Sequence, residues 1–145
     1  MSKEDLFWMS VALCEARAAL REGEVPVGAV IVKDGVLLAR AHNRTGKHPL
    51  YHAEVLAMMG LKDEDLRGAT LYVTMEPCVM CSGAAVLSRI GEIVFAVENP
   101  RFGGTTSLYQ IPLDLRLNHR VKVRKVPMEG AASLLRRYFG REYEG

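Results

Sequence analysis

Apolar residues recur every three or four positions near the start of the chain, between residues 6 and 20. This spacing predicts an amphipathic helix that buries one stripe of side chains. Ser2 is expected to cap the start of this helix, and Gly23 is expected to end it. Cys14 lies within the helix and is expected to be a small buried core residue.

Two strand-like segments follow at residues 26–32 and 36–41, with the turn-forming pair Asp34-Gly35 between them. Segments rich in Val, Ile and Leu on either side of Asp-Gly predict a β-hairpin. A polar loop and a short apolar segment come next, and the apolar segment predicts a second helix at residues 53–59.

The second half of the chain alternates between the two kinds of element. A helix predicted at residues 79–90 lies between strands predicted at 69–74 and 93–97, an order that indicates a right-handed parallel crossover. Residues 98–118 lose periodicity and are predicted to form a long loop with at most one short helix. The last predicted elements are an edge strand at residues 121–126 and a helix that opens at Pro127. This alternation predicts an α/β protein.

The chain has 145 residues, of which 49% are apolar and 25% are charged. This composition predicts one compact domain over residues 1–145, with a core that needs no disulfide scaffold. No window approaches the roughly 18 uninterrupted apolar residues of a membrane span, and the start of the chain is too acidic for a secretory signal. We therefore expect a cytoplasmic protein with no membrane segment.

Two short segments carry residues suited to chemistry, His52-Ala53-Glu54 and Pro77-Cys78-Val79-Met80-Cys81. Cys78 and Cys81 fall on the first turn of a predicted helix, where both sulfurs can reach one metal and the helix N-terminus favours thiolates. His52 would supply a third ligand from the start of the neighbouring helix. An imidazole with two thiolates favours zinc over hard cations such as Mg²⁺.

Three protein ligands leave the fourth position of a zinc ion open, which is typical of catalytic rather than structural sites. Glu54, two residues after the histidine, is placed to move protons for the hydrolysis of an amine. His-x-Glu followed by Pro-Cys-x-x-Cys is the signature of zinc-dependent nucleobase deaminases. One alternative is a dithiol redox pair, which would leave His52-x-Glu54 as a coincidence. The other is a non-catalytic structural zinc site, but no further His or Cys stands at ligand spacing to close it. His42 and His48 are interpreted as ordinary loop residues.

Beyond these motifs, the sequence resembles the bacterial tRNA adenosine deaminases of the cytidine deaminase superfamily. The resemblance covers residues 6–139, nearly the whole chain. Its further segments, in family order, are Glu24-Val25-Pro26-Val27-Gly28-Ala29-Val30, Asn43-Arg44, Ala69-Thr70-Leu71-Tyr72-Val73-Thr74, Ser88-Arg89-Ile90, Gly103, Ser107-Leu108 and Leu117-Asn118-His119-Arg120-Val121.

The resemblance implies a three-layer α/β/α fold with a central five-stranded mixed sheet, a homodimer, and one Zn²⁺ per subunit. It also implies conversion of adenosine to inosine at the wobble position of a tRNA anticodon stem-loop. In that scheme Glu54 carries the protons and Asn43 holds the edge of the flipped base. The long loop with Asn99 and Arg101, and the last helix with Phe139, clasp the nucleotide.

Two other readings of the same motifs stay open. One is an enzyme that deaminates a free nucleobase or nucleoside of the guanine or cytidine type. The other is a nucleic-acid-binding subunit with an inactive zinc site, against which the intact Glu54 argues.

The sequence departs from the family pattern at two places. Leu50-Tyr51 stand where the family usually has Thr-Ala before the zinc histidine, and Tyr51 is expected at the mouth of the pocket. Asn99 stands where the family usually has an Asp that contacts the RNA backbone at the target ribose. An amide carries no charge and can donate as well as accept, so it should discriminate less well for a 2′-hydroxyl. The hypothesis is a natural or engineered variant that also accepts single-stranded DNA.

Net charge is +2, but it is unevenly distributed. Residues 99–141 hold nine Lys and Arg against two acids. This distribution predicts that the C-terminal third faces the phosphates of a nucleic acid. Family members usually carry further Lys and Arg where this chain ends at Gly145, so weaker and less salt-sensitive binding is expected.

Overall fold

A computed structural model of the chain describes residues 2–62, 64–140 and 143. Its helices are α1 (Lys3–Arg21), α2 (Ala53–Met59), α3 (Val79–Leu87) and α4 (Glu129–Phe139). Its strands are β1 (Gly28–Lys33), β2 (Val36–His42), β3 (Thr70–Met75), β4 (Glu92–Val97) and β5 (Lys122–Lys125). Every predicted helix and strand is present, and no end shifts by more than three residues.

The five strands form one mixed sheet in the order β2-β1-β3-β4-β5. Strand β1 runs antiparallel to both β2 and β3, whereas β4 runs parallel to β3 and β5. At the β1–β2 turn, Asp34 and Gly35 have φ of 51° and 74°, the left-handed conformations that a two-residue hairpin requires. The predicted hairpin, the parallel pairing of β3 with β4 and the mixed sheet are confirmed.

Helices cover both faces of the sheet because successive strand side chains point to opposite sides. Val30 and Val94 pack on one face with side chains of α1 and α4. Ile31 and Ile93, their immediate neighbours in the two strands, pack on the other face with side chains of α2 and α3. The result is the three-layer α/β/α arrangement that the resemblance implies.

The ends of the elements follow local chemistry. The Ser2 hydroxyl accepts a hydrogen bond from the Asp5 N–H at 3.0 Å and caps α1, as predicted. Helix α4 begins at Glu129, two residues after Pro127. Between β4 and β5 the chain forms the predicted long loop, which contains one turn of 3₁₀ helix at Ile111–Leu113.

Two sequence interpretations in this part of the molecule are wrong. Cys14 is exposed, because it lies one residue beyond the buried Leu13 and is therefore rotated about 100° away from the core-facing stripe. His42 is not a loop residue: it ends β2, is buried, and its ring nitrogens lie 2.8 Å from a Glu15 carboxylate oxygen and 3.0 Å from one of Glu22. His48 does lie in a loop.

Within the described ranges, no helix combines the length and the apolar character needed to cross a membrane.

Candidate active site

Three potential metal ligands meet where two helices begin. His52 precedes the first residue of α2, Cys78 precedes the first residue of α3, and Cys81 lies in the first turn of α3. The His52 Nδ1 atom is 3.5 Å from the Sγ atoms of both Cys78 and Cys81. Tetrahedral zinc, with Zn–N of about 2.0 Å and Zn–S of about 2.3 Å, requires N···S separations of about 3.5 Å. The donor set and its spacing therefore fit zinc.

The electrostatics of this cluster favour a thiolate at Cys78. A hydrogen bond from the Cys81 thiol, together with His52, lowers the pKa of Cys78 to about 4. The same bond to Cys78, together with burial, raises the pKa of Cys81 above its usual value. The partial positive charge of the α3 N-terminus also favours thiolate at this position. The cluster is thus prepared to bind a soft divalent cation.

Glu54 lies in the first turn of α2, beside the cluster, and is buried. Burial raises the pKa of Glu54 to about 7. A carboxyl group whose pKa lies near neutrality can both take up and release a proton during one reaction.

A cavity of about 430 Å³ opens over these residues. Its volume falls in the range of ordinary small-molecule sites. The sequence-predicted site residues that line it are His52, Glu54, Cys78, Asn43, Asn99, Arg101 and Phe139. Cys81 is fully buried beneath them. The structure thus brings all eight sequence-predicted residues to one place.

Asn43 follows β2 directly and is buried in the wall of the cavity. Its Nδ2 donates hydrogen bonds to Thr45 Oγ1 at 3.0 Å and to Glu24 Oε1 at 3.5 Å. These bonds orient the amide so that Oδ1 is its remaining acceptor. Asn43 can therefore receive a hydrogen bond from the edge of a bound base.

Glu76, which sequence reasoning missed, also lines the cavity and organises the long loop beside it. One carboxylate oxygen accepts the backbone N–H of Thr105, Thr106 and Ser107 at 3.2, 2.8 and 2.9 Å. The other accepts the N–H of Asn99 at 3.1 Å and the Ser107 hydroxyl. Burial opposes ionisation, but the hydrogen bonds from Ser107 and the backbone N–H groups lower the pKa of Glu76 below its ordinary value. The charged carboxylate thereby ties the long loop to the end of β3.

The side chain of Asn99 is already used in this loop. Its Oδ1 accepts the backbone N–H of Phe102 at 3.1 Å, while its own N–H donates to Glu76. Its role toward a ribose therefore stays a prediction, and only the amide NH₂ group is left to donate to a ligand.

Other cavity residues were also missed by sequence reasoning. Thr45, Phe102 and Tyr143 line the cavity together with apolar side chains of the sheet and its flanks, Val25, Val27, Met75 and Val79. Glu76 and Phe102 directly adjoin motif residues in the sequence, which was the one signal available for them.

The expectation for Tyr51 is wrong, because its ring does not line this cavity. The ring stacks on His48 with centroids 5.0 Å apart, and it lines a separate groove with Arg40 and His42. The Tyr51 carbonyl accepts the Arg44 N–H at 2.9 Å, which fixes the backbone of this short loop.

Ion pairs neutralise part of the basic excess of the C-terminal third. Arg116 pairs with Asp114, Arg124 with Asp5 and Glu92, Lys125 with Glu98, and Arg136 with Glu129. Arg101 is the basic residue of this third that lines the cavity. Arg141 lies outside the described residues. The charge count alone therefore overstates the positive surface facing a nucleic acid.

Comparison with known proteins identifies proteins whose sequences are similar to this chain. Residues 2–97 match the family model described as cytidine and deoxycytidylate deaminase zinc-binding region. The tRNA-specific adenosine deaminase of Aquifex aeolicus (strain VF5) is 46% identical over 145 residues, covering 96% of this chain and 95% of that protein. The tRNA-specific adenosine deaminase of Streptococcus pyogenes serotype M18 is 42% identical over 149 residues, covering 97% and 94%.

Solved structures share the fold. A structure from a study of A-to-I editing by tRNA deaminases at the wobble position of transfer RNA superposes with a TM-score of 0.82 at 35% identity, covering 90% of this chain and 99% of that one. A mutant of the protein NE0047 in complex with 8-azaguanine gives a TM-score of 0.74 at 26% identity, covering 90% and 81%.

Proposed function

The chain belongs to the tRNA-specific adenosine deaminases, a family of zinc-dependent deaminases, and we propose that it converts adenosine to inosine at the wobble position of a tRNA anticodon. One observation carries the proposal. Glu54 is buried in a cavity beside the His52, Cys78 and Cys81 cluster, whose spacing fits a zinc ion with a fourth position open.

His52, Cys78 and Cys81 would hold Zn²⁺, which lowers the pKa of water to about 7 and so makes hydroxide available at neutral pH. Glu54 moves the protons. It takes one proton from the attacking water and gives it to N1 of the adenine ring as the new C6–O bond forms. It then carries the second proton of that water to the amino group, which leaves as ammonia when the C6–N bond breaks. The balance is one water consumed and one ammonia released.

The remaining cavity residues would hold the nucleotide. Asn43 offers Oδ1 to a donor on the base edge, and Phe139 forms part of the wall. The apolar side chains Val25, Val27 and Met75 line the cavity and help to keep bulk water from the reacting atoms. Arg101 and Phe102 stand exposed at the same cavity, an arrangement that suits a substrate larger than a free base.

Exposure of tRNA to the purified, zinc-loaded protein tests the proposal. Sequencing should show adenosine read as guanosine at the wobble position, and a matched Glu54→Gln preparation should leave it unchanged. If the protein releases ammonia from free guanine or cytidine and edits no RNA, the free-base deaminase is the correct alternative. If it binds RNA and releases no ammonia from any substrate, the inactive binding subunit is correct.

We also propose that the protein accepts single-stranded DNA, because Asn99 in the cavity wall brings no charge to bear on a 2′-hydroxyl. Matched RNA and DNA hairpins should show a higher RNA/DNA ratio of deamination rates for Asn99→Asp than for the native chain. An unchanged ratio would refute this role.

The assembly we propose is a cytoplasmic homodimer with one Zn²⁺ per subunit, in line with the family resemblance. Elemental analysis should give one zinc per chain, and light scattering should give twice the chain mass. A monomer that edits tRNA at full rate would remove the dimer from the proposal.

A further inference from the structure

Phe102 lines the cavity, and 68% of its surface is exposed. We propose that Phe102 is a stacking platform for the nucleotide next to the target adenosine, with Arg101 paired to that nucleotide's phosphate. This inference rests on the proposed function, because it assumes an RNA substrate.

The backbone under Phe102 is held on both sides. Its N–H donates to Asn99 Oδ1, and the next residue, Gly103, donates its N–H to the Asn99 carbonyl at 2.9 Å. Gly103 also pairs with Cys78 across an isolated β-bridge, so the turn is attached directly to the metal-binding segment.

Gly104 completes this attachment. Its N–H donates to the Pro77 carbonyl at 2.9 Å, and a Cβ at this position would lie 2.6 Å from the Cα of Val79. The glycine therefore permits a close approach of the loop to α3 that no other residue would allow. Phe102 is consequently presented on a rigid support, which lowers the entropy lost when a ligand stacks on it.

The chemistry of the substrate supplies a partner for this ring. When one base is flipped into a cavity, its neighbour loses a stacking partner and must be stabilised in another way. An exposed aromatic face can receive any base, and such stacking is sequence-tolerant. Within the described part of the chain no carboxylate lies at ion-pairing distance from Arg101, so its guanidinium can contact a phosphate instead.

The test is a double-mutant cycle between the ring and the neighbouring base. Anticodon hairpins are prepared with an abasic residue on the 5′ side or the 3′ side of the target adenosine. On the intact hairpin, Phe102→Ala should lower kcat/KM by about tenfold, mainly through KM, since stacking on aromatic side chains contributes this order of binding. On one of the two abasic hairpins the same variant should lose nothing further.

Tyr109 provides the matched control, because it is an exposed aromatic residue of the same loop that does not line the cavity. Tyr109→Ala should leave kcat/KM unchanged on every hairpin. Phe102→Trp should restore tight binding, and Phe102→Leu, which keeps apolar bulk without an aromatic face, should not. Zinc content and circular dichroism of each variant report whether it folds.

Three results would overturn the inference. The first is native kcat/KM in Phe102→Ala, and the second is that Phe102→Ala lowers kcat/KM on both abasic hairpins as much as on the intact one. The third is a change in subunit association that places the ring in a protein interface. A native protein that edits no RNA would instead defeat the proposed function.

Discussion

Two buried glutamates line the same cavity, but their hydrogen-bonding surroundings differ. Glu54, at the start of α2, is 4% exposed, and burial raises its pKa to about 7. Glu76, at the end of β3, is 1% exposed, and its hydrogen bonds hold its pKa below the ordinary value. The difference lies in the number of donors, because Glu76 receives four backbone N–H groups and one hydroxyl.

This contrast shows how one cavity can hold two carboxyl groups with separate tasks. A carboxylate surrounded by donors stays ionised and acts as a fixed anchor for a loop. A buried carboxyl group with few donors can exist in either protonation state near neutral pH and so can shuttle protons. Substitutions of the buried carboxyl groups test whether hydrogen-bond donors and burial decide between these tasks.

The largest effect is expected for Glu54→Gln. An amide of the same shape cannot carry a proton between water and the base, so kcat should fall by about 10²- to 10⁴-fold or more. Thermal unfolding and zinc content should stay close to native, because a neutral amide replaces a carboxyl group that is costly to bury. Single-turnover deamination with metal analysis checks this, and retained turnover would rule out the proton-shuttling role.

Glu76→Gln should reverse that pattern. The neutral amide keeps one acceptor oxygen and removes the charge that five donors share, so the free energy of unfolding should fall by roughly 2–4 kcal/mol. The loop carrying Asn99 should loosen, which should raise KM for an RNA hairpin more than it lowers kcat. Urea unfolding and steady-state kinetics measure the two effects. A native free energy of unfolding in this variant would show that water replaces the carboxylate as the acceptor for these donors.

The sequence predicts the first glutamate and not the second for a physical reason. Spacing is local only within His52-x-Glu54 and within Cys78-x-x-Cys81; 26 residues separate His52 from Cys78, and the known deaminase signature is what joins the two motifs. The partners of Glu76 come from residues 99–107, and only the folded loop brings them to it. The error at Cys14 has a related cause, since neighbours on a helix point in different directions.

The other errors concern loop conformation and contacts between distant segments. Periodicity predicted every element because burial repeats every two residues in strands and every three or four in helices. The direction of Tyr51, in contrast, depends on how the short loop before α2 is fixed by Arg44, and no pattern in the sequence encodes that hydrogen bond. Ion pairs between distant segments, such as Arg124 with Asp5, likewise neutralise part of the basic excess of the C-terminal third, and no sequence pattern predicts them.

A third buried carboxylate, Asp5, separates anchoring from catalysis, because it lies outside the cavity. It is 3% exposed and accepts hydrogen bonds from the Tyr72 hydroxyl at 2.8 Å and from Arg124 at 2.8 and 3.1 Å. Asp5→Asn should lower the free energy of unfolding by about 2–3 kcal/mol, since it leaves Arg124 with a weaker partner. Kinetic constants at 25 °C should be native, and a change in kcat would tie this cluster to the cavity.

The same residue predicts how stability depends on pH. The hydrogen bonds from Arg124 hold the pKa of Asp5 well below its usual range. A depressed carboxyl pKa stabilises the fold fully above the unfolded value of about 4, and this contribution is lost as the pH falls toward the folded value. Between about pH 5 and pH 2 the native protein should therefore lose more stability than Asp5→Asn. Parallel urea titrations across this range would show equal slopes if the ion pair were unimportant.

The smallest effect is expected for Asp114→Asn, which tests whether hydrogen bonds anchor a carboxylate without burial. Hydrogen bonds from Arg116 lower the pKa of Asp114 to about 2, but Arg116 is exposed and solvent surrounds the pair. Water and salt can replace such an exposed partner, so the melting temperature should stay native at moderate ionic strength. Asparagine also keeps the oxygen that accepts the Arg116 N–H. If this variant lost as much stability as Asp5→Asn, hydrogen-bond donors alone would be enough for a carboxylate to stabilise the fold. Burial would then not explain how Asp5 and Glu76 differ from a surface pair.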